Sequence, residues 1–227
     1  KERVCDIDAI VCAGDLPSDY IDFIVSTLNK PAFFIFGNHN LREFGYYHKK
    51  SVQHKGSHPV SAKEISIFDL GGCFGAAYAG FKNLRDSHVK ITDAKTKKIR
   101  PLLISGVSGS KKYNRGLNQY TEFQMTVHLL KLVPGLVWNK IRYGKFVDIF
   151  LTHASPRHVH DKEDPCHQGF KCFNKFLKFF TPSYMIHGHI HLYDANEERV
   201  TKIDFPNNKS TTVINAYSHY VLNFENL

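Results

Sequence analysis

Four short stretches of this 227-residue chain carry side chains able to bind metal ions or move protons: Asp15, Asn38 with His39, His153, and His189 with His191. They supply carboxylate, amide and imidazole donors, a set that suits zinc, iron and manganese. A carboxylate among imidazoles can also bridge two cations about 3.5 to 4 Å apart, the arrangement that clamps the attacking and leaving oxygens of phosphoryl transfer. Taken singly, each stretch is ordinary. Gly14-Asp15 reads as a turn, Asn38-His39 as a turn with a surface imidazole, and His153 as a buried, hydrogen-bonded ring. A His-x-His pair is easily fortuitous in a chain with 14 histidines. On a strand its two rings would share one face, whereas on a tight turn they would diverge. Order and placement make the joint case, because each stretch closes an apolar run.

The elements that must position these residues follow from those runs. Residues 7–13 read as a buried strand ending in Gly14-Asp15, and residues 32–36 as a second one ending in Gly37-Asn38-His39-Asn40. Between them, residues 18–30 put Tyr20, Ile21, Ile24, Val25 and Leu28 on one helical face, with Ser18 or Asp19 as the expected cap and Pro31 as the stop. Strand, helix and strand make a βαβ unit, and ligand sites in open α/β sheets lie at the strand ends. Residues 41–110 mix His-rich loops, a Gly-rich piece and short apolar runs such as 102–107, read as strands and loops. Residues 120–133 have helical periodicity, and Pro134 is expected to end that helix or begin a second one reaching Tyr143. Residues 147–151 form a strand delivering His153, residues 168–180 a helix, and residues 184–186 a strand delivering the His-x-His pair. The tail reads as three strands, at 200–205, 211–216 and 220–224.

Composition narrows the class. With 42% hydrophobic and 22% charged residues the chain is an ordinary globular sequence, expected to fold as one domain over residues 1–227. The longest uncharged run, residues 70–81, is far short of the roughly 20 residues needed to span a bilayer, so no membrane partner is expected. The formal net charge of +9 favours phosphorylated or polyanionic partners, nucleic acid among them. The 5 cysteines are odd in number and contain no Cys-x-x-Cys pair, which fits a reducing cytoplasm.

The order Gly-Asp, Gly-Asn-His, His, Gly-His-x-His resembles that of the calcineurin-like metallophosphoesterases, whose usual blocks are Asp-x-His, Gly-Asp, Gly-Asn-His-Asp/Glu, a single His and Gly-His-x-His. Four of the five blocks are present, as Gly14-Asp15, Gly37-Asn38-His39-Asn40, Thr152-His153 and Gly188-His189-Ile190-His191. The stretches GDLPSDYIDFIVSTLN and HGHIHLYD are similar to a bacterial group within that family. The Asp-x-His block would lie on a strand before Lys1, and Asn40 stands where the family usually has Asp or Glu.

The resemblance implies an α/β fold, a four-layer αββα sandwich of two mixed β-sheets with flanking helices. It also implies two divalent metal ions (Mn, Fe or Zn). Asp15 would bridge them, Asn38, His153 and His189 would complete one site, and His191 would join the Asp and His of the first block on the other. His39 would be the catalytic residue that protonates the departing oxygen. The implied activity is hydrolysis of a phosphomonoester or phosphodiester by metal-activated hydroxide. Arg157 and His158, close after His153, are the first candidates to reach the substrate phosphate, with His160 beside them. Lys111, Lys112, Tyr113 and Arg115 form a second basic group. Two other functions compete: a non-catalytic binding or scaffold protein on the same fold, and a nuclease, motivated by the +9 charge and the interleaved Tyr and Arg of residues 111–120.

Overall fold

Three parallel strands set the first two site turns side by side. In the computed structural model, which describes residues 6–40, 76–93, 97–194, 196–206 and 208–224, β1 (Ile10–Cys12), β2 (Ala32–Phe34) and β3 (Ala76–Tyr78) form one sheet in that order. Cys12 pairs with Phe34, so the chain leaves β1 toward Asp15 and β2 toward Asn38 from the same edge. α1 (Ser18–Leu28) links them as the expected βαβ crossover and packs Ile21 and Val25 against Cys12, Phe34, Phe36 and Tyr78. Its ends differ from expectation. The N-cap is Pro17, with no side-chain cap, because a φ of −58° already suits helix entry. The helix stops at Asn29 in the left-handed region, two residues before Pro31.

The larger sheet is mixed. β4 (Lys82–Thr92), β5 (Ile99–Val107), β8 (Ile149–Thr152), β9 (Tyr184–His187), β10 (Val200–Phe205) and β11 (Lys209–Asn215) lie in the order β10-β11-β9-β8-β5-β4. The four inner strands are parallel, with antiparallel β4 and β10 at the edges. A two-stranded ladder, β6 (Ser110–Lys111) with β7 (Gln119–Tyr120), stands beside β2. Ala13, Phe33, Ile35 and Ala79 of the small sheet and its exits meet Leu102, Ile104, Ile149, Leu151 and Ile186 of the large one. On the far face of the large sheet, α2 (Glu122–Tyr143) and α3 (Lys171–Phe180) bury Met125, Leu129, Leu136, Phe173 and Phe176 around Phe150. The layers run α1, small sheet, large sheet, α2 with α3, which is the αββα sandwich. Among the described residues no helix is long and apolar enough to cross a membrane.

Two elements depart from the sequence reading. α2 runs unbroken through Pro134. The proline removes the N–H that would meet the Leu130 carbonyl, but Leu130 and Pro134 lie on the exposed side, where water can replace that bond. Asn83 of β4 donates to the Leu132 carbonyl at 2.9 Å and Arg85 to that of Gly135 at 3.3 Å, tying the helix to the sheet on both sides of the proline. Residues 220–224 are not a strand. Leu222 and Phe224 instead pack on the inter-sheet core, Phe224 edge-on to Tyr184. The His-rich segment with His48, His54 and His58 lies outside the described residues.

Candidate metal centre

The first two turns are built for close approach. Gly14 has φ +94°, and Asp15 itself sits in the left-handed region at φ 57°. A Cβ on Gly37 would lie 2.0 Å from Asp15 Oδ1 and 2.6 Å from His153 Cε1, so only glycine lets the two turns and His153 meet. Asn40 ties the turns together. Its Oδ1 accepts from the N–H of Asp15 at 2.7 Å and of Gly37 at 3.0 Å, while its Nδ2 donates to the Leu16 carbonyl at 2.9 Å. A carboxylate could accept the first two bonds but could not donate the third. Asn40 is therefore a buried clamp on the backbone.

His153 follows β8 and is buried. Its Nδ1 donates to the Ala13 carbonyl at 2.8 Å, which leaves Nε2 as a lone pair facing Asp15 Oδ2 at 3.1 Å and Asn38 Oδ1 at 3.0 Å. The Asn38 amide is oriented by its Nδ2, which donates to the Tyr113 hydroxyl at 3.1 Å. His189 follows β9 at φ 66°, donates from Nε2 to the Cys166 carbonyl at 2.8 Å, and so keeps Nδ1 for the site. The rings of His153 and His189 are 4.8 Å apart. Asp15, His153 and His189 each place one ligand atom within 4.8 Å of the others.

With His153 Nε2 unprotonated these atoms are acceptors converging on one another, an arrangement that repels unless a proton on that nitrogen or a metal cation lies among them. Burial would raise the carboxyl of Asp15, but with a proton on His153 Nε2 the hydrogen bond and charge of that ring, together with the His39 N–H, hold it down at about 2. Burial above all pushes His189 down to about 4. Near neutral pH the carboxylate is ionised and the imidazole neutral, the states that bind metal. By donor type, charge state and convergence, the residues fit a divalent cation of the zinc, iron or manganese kind.

The other expected residues are distributed unevenly. His39 is exposed at the rim, its backbone N–H donating to Asp15 Oδ1 at 2.8 Å. His191 stands apart from the cluster: its Nδ1 meets the Tyr193 hydroxyl at 3.2 Å and its ring lies 4.8 Å from that of Tyr217. The His-x-His pair is therefore on a turn, and its rings diverge. Arg157 is committed to its own loop, with bonds of 2.6 Å to both Asp161 and Glu163, so its fork is not open to a phosphate. His158 is exposed at φ 66°, with its N–H on Asp161. His160 donates from Nδ1 to His187 Nε2 at 2.9 Å and accepts at Nε2 from the Thr201 hydroxyl at 2.8 Å. His187 passes this chain on, donating from Nδ1 to the Gly188 carbonyl at 3.0 Å, and burial pushes it down to about 3.

Sequence reasoning missed four residues. Asn40 was read as a lost carboxylate, Tyr113 as part of a basic group, and the pair Asp164 and His167 was passed over. The Asp-x-x-His spacing of that pair, one turn apart, was the available signal.

A four-layer sandwich whose strand ends converge on a carboxylate, an amide and two imidazoles defines a metal-binding α/β protein. The family model for calcineurin-like phosphoesterases matches residues 2–193, and the chain belongs to that family of metal-dependent phosphoesterases. Among solved structures, NAD nucleotidase (NadN) of Haemophilus influenzae is similar at 11% identity with a TM-score of 0.43, over 88% of this chain and 36% of that one. The chain thus spans about a third of that protein's length. No curated protein matches it significantly.

Proposed function

We propose that this chain hydrolyses a phosphomonoester or phosphodiester with the help of two divalent cations, Mn, Fe or Zn. The convergence of Asp15, His153 and His189 carries this reading. When bound, the cations supply an acidified water and positive charge against the phosphoryl oxygens. Asp15 turns Oδ2 toward His153 while Oδ1 accepts the His39 N–H, and it would be the carboxylate shared between the cations. Asn38, His153 and His189 complete one site with it, their orientations set by Tyr113, Ala13 and Cys166. His191 would serve the other site with the family's Asp-x-His block. His39 at the exposed rim would give a proton to the departing oxygen as the P–O bond breaks, help worth roughly 10²- to 10⁴-fold.

The test is hydrolysis of bis-p-nitrophenyl phosphate and p-nitrophenyl phosphate in added manganese, with manganese affinity measured alongside. Wild-type turnover is expected, with the preferred ester separating diesterase from monoesterase. His189→Ala should lose both metal affinity and turnover, while His39→Ala should keep the metal and lose about 10²- to 10⁴-fold in kcat. No turnover with metal bound would favour a binding protein on the same fold.

A further inference from the structure

The loop between β8 and α3 holds a carboxylate–imidazole pair beside His189. His167 Nδ1 lies 2.8 Å and 2.9 Å from the two oxygens of Asp164, whose Oδ1 also accepts from the backbone N–H groups of Cys166 and His167 at 3.2 Å each. One carboxylate thus fixes the ring and closes the turn that carries it. Cys166, within the same turn, offers the carbonyl that orients His189. The turn therefore positions one metal-centre imidazole and displays a second next to it, with ring centroids 5.3 Å apart. His167 Nε2 makes no hydrogen bond to the described residues, and 39% of the side chain is open to solvent. The loop is also anchored from outside: Lys111 Nζ donates to Gln168 at 2.8 Å, and the Gly169 N–H to Asp161 at 3.0 Å.

As a surface ion pair, Asp164 and His167 would contribute little to stability, so stability is a poor reason for the arrangement. Position is a better one. With Nδ1 committed to Asp164, a protonated ring has a single N–H left to offer, at Nε2, one imidazole away from the Asp15, His153 and His189 cluster. Arg157, which the sequence offered for the substrate phosphate, is spent on Asp161 and Glu163.

We propose that His167 is a further catalytic residue, donating from Nε2 to a phosphoryl oxygen of the bound ester, and that Asp164 is its positioning residue. This rests on the phosphoesterase reading and extends it to the substrate's anionic oxygens.

The experiment compares the full chain with its His167→Ala, His167→Gln and Asp164→Asn variants in three measurements: manganese affinity, binding of inorganic phosphate to the manganese-loaded protein, and kcat and KM on bis-p-nitrophenyl phosphate. His167→Ala should keep manganese affinity within about twofold while weakening phosphate by about 10- to 100-fold, the worth of one charge-assisted hydrogen bond. It should lower kcat/KM by at least as much. His167→Gln, which keeps a donor without the charge, should recover part of the phosphate affinity, and Asp164→Asn should show a smaller loss in the same direction. Wild-type phosphate binding by His167→Ala, or no phosphate binding by the loaded wild-type chain, would overturn the assignment. A loss of manganese as severe as that of His189→Ala would also overturn it, making the residue part of the metal centre. Phosphate binding that depends on His167 without any turnover would overturn the phosphoesterase reading alone.

Discussion

Asp15 and His189 both occupy the left-handed backbone region, which costs a residue of this kind roughly 1 to 3 kcal/mol. Asn40 holds the Asp15 backbone N–H and the His39 N–H aims the Asp15 carboxylate, while the Cys166 carbonyl aims the His189 ring. Local strain and ligand geometry are thus the same feature. The buried imidazoles also set a pH dependence. His187 titrates near 3 and His189 near 4 in the folded protein, each pushed down by burial from the usual 6.5. Between those values and 6.5 the unfolded chain binds protons that the folded chain refuses, so stability rises with pH there and is lost as pH falls. Metal-free protein should therefore unfold at lower urea as pH drops from 7.5 to 5, each such histidine adding up to ~1.4 kcal/mol per pH unit. His187→Gln should flatten the slope; a wild-type midpoint that does not move across that range would contradict it. Asp15, with its folded value near 2, contributes stability present above 3.8 and lost only in stronger acid.

At the scale of elements, α2 tolerates Pro134 because its inner face is anchored at Met125, Leu129, Leu132 and Leu136 while the proline faces outward. Tertiary packing outweighs a propensity penalty of ~3 kcal/mol. Pro134→Ala should restore the missing hydrogen bond and raise stability by about 1 to 3 kcal/mol, read as a higher unfolding midpoint. An unchanged midpoint would show that the ties from Asn83 and Arg85 already make good the break. Residues 220–224 differ from the strand reading for a related reason: alternation and aromatic content allow a strand, but Leu222 and Phe224 instead pack on the inter-sheet core, Phe224 against Tyr184. No sequence window reports that docking.

Across the whole molecule, the candidate metal ligands Asp15, Asn38, His153 and His189 come from four segments far apart in the chain and meet only because β1, β2, β8 and β9 end at one rim. An unfolded chain cannot assemble them, so metal binding should stabilise the fold by mass action. Manganese at about 100 times its dissociation constant should add ~2.7 kcal/mol, seen as a higher melting temperature that EDTA reverses. His189→Ala should abolish the shift, and an equal shift in that variant would place the ion elsewhere. By itself the sequence determined the class of fold, most of the elements and which residues could ligate a metal, because apolar periodicity and the residues that end each run are local properties. Tertiary structure alone decided which of them meet. It brought Asp15, Asn38, His153 and His189 together, turned His191 toward Tyr193 and Tyr217, spent Arg157 on Asp161 and Glu163, and set His167 beside His189. Those outcomes depend on strand order, loop closure and competition among hydrogen-bond partners, which are relations between distant residues that no local spacing contains.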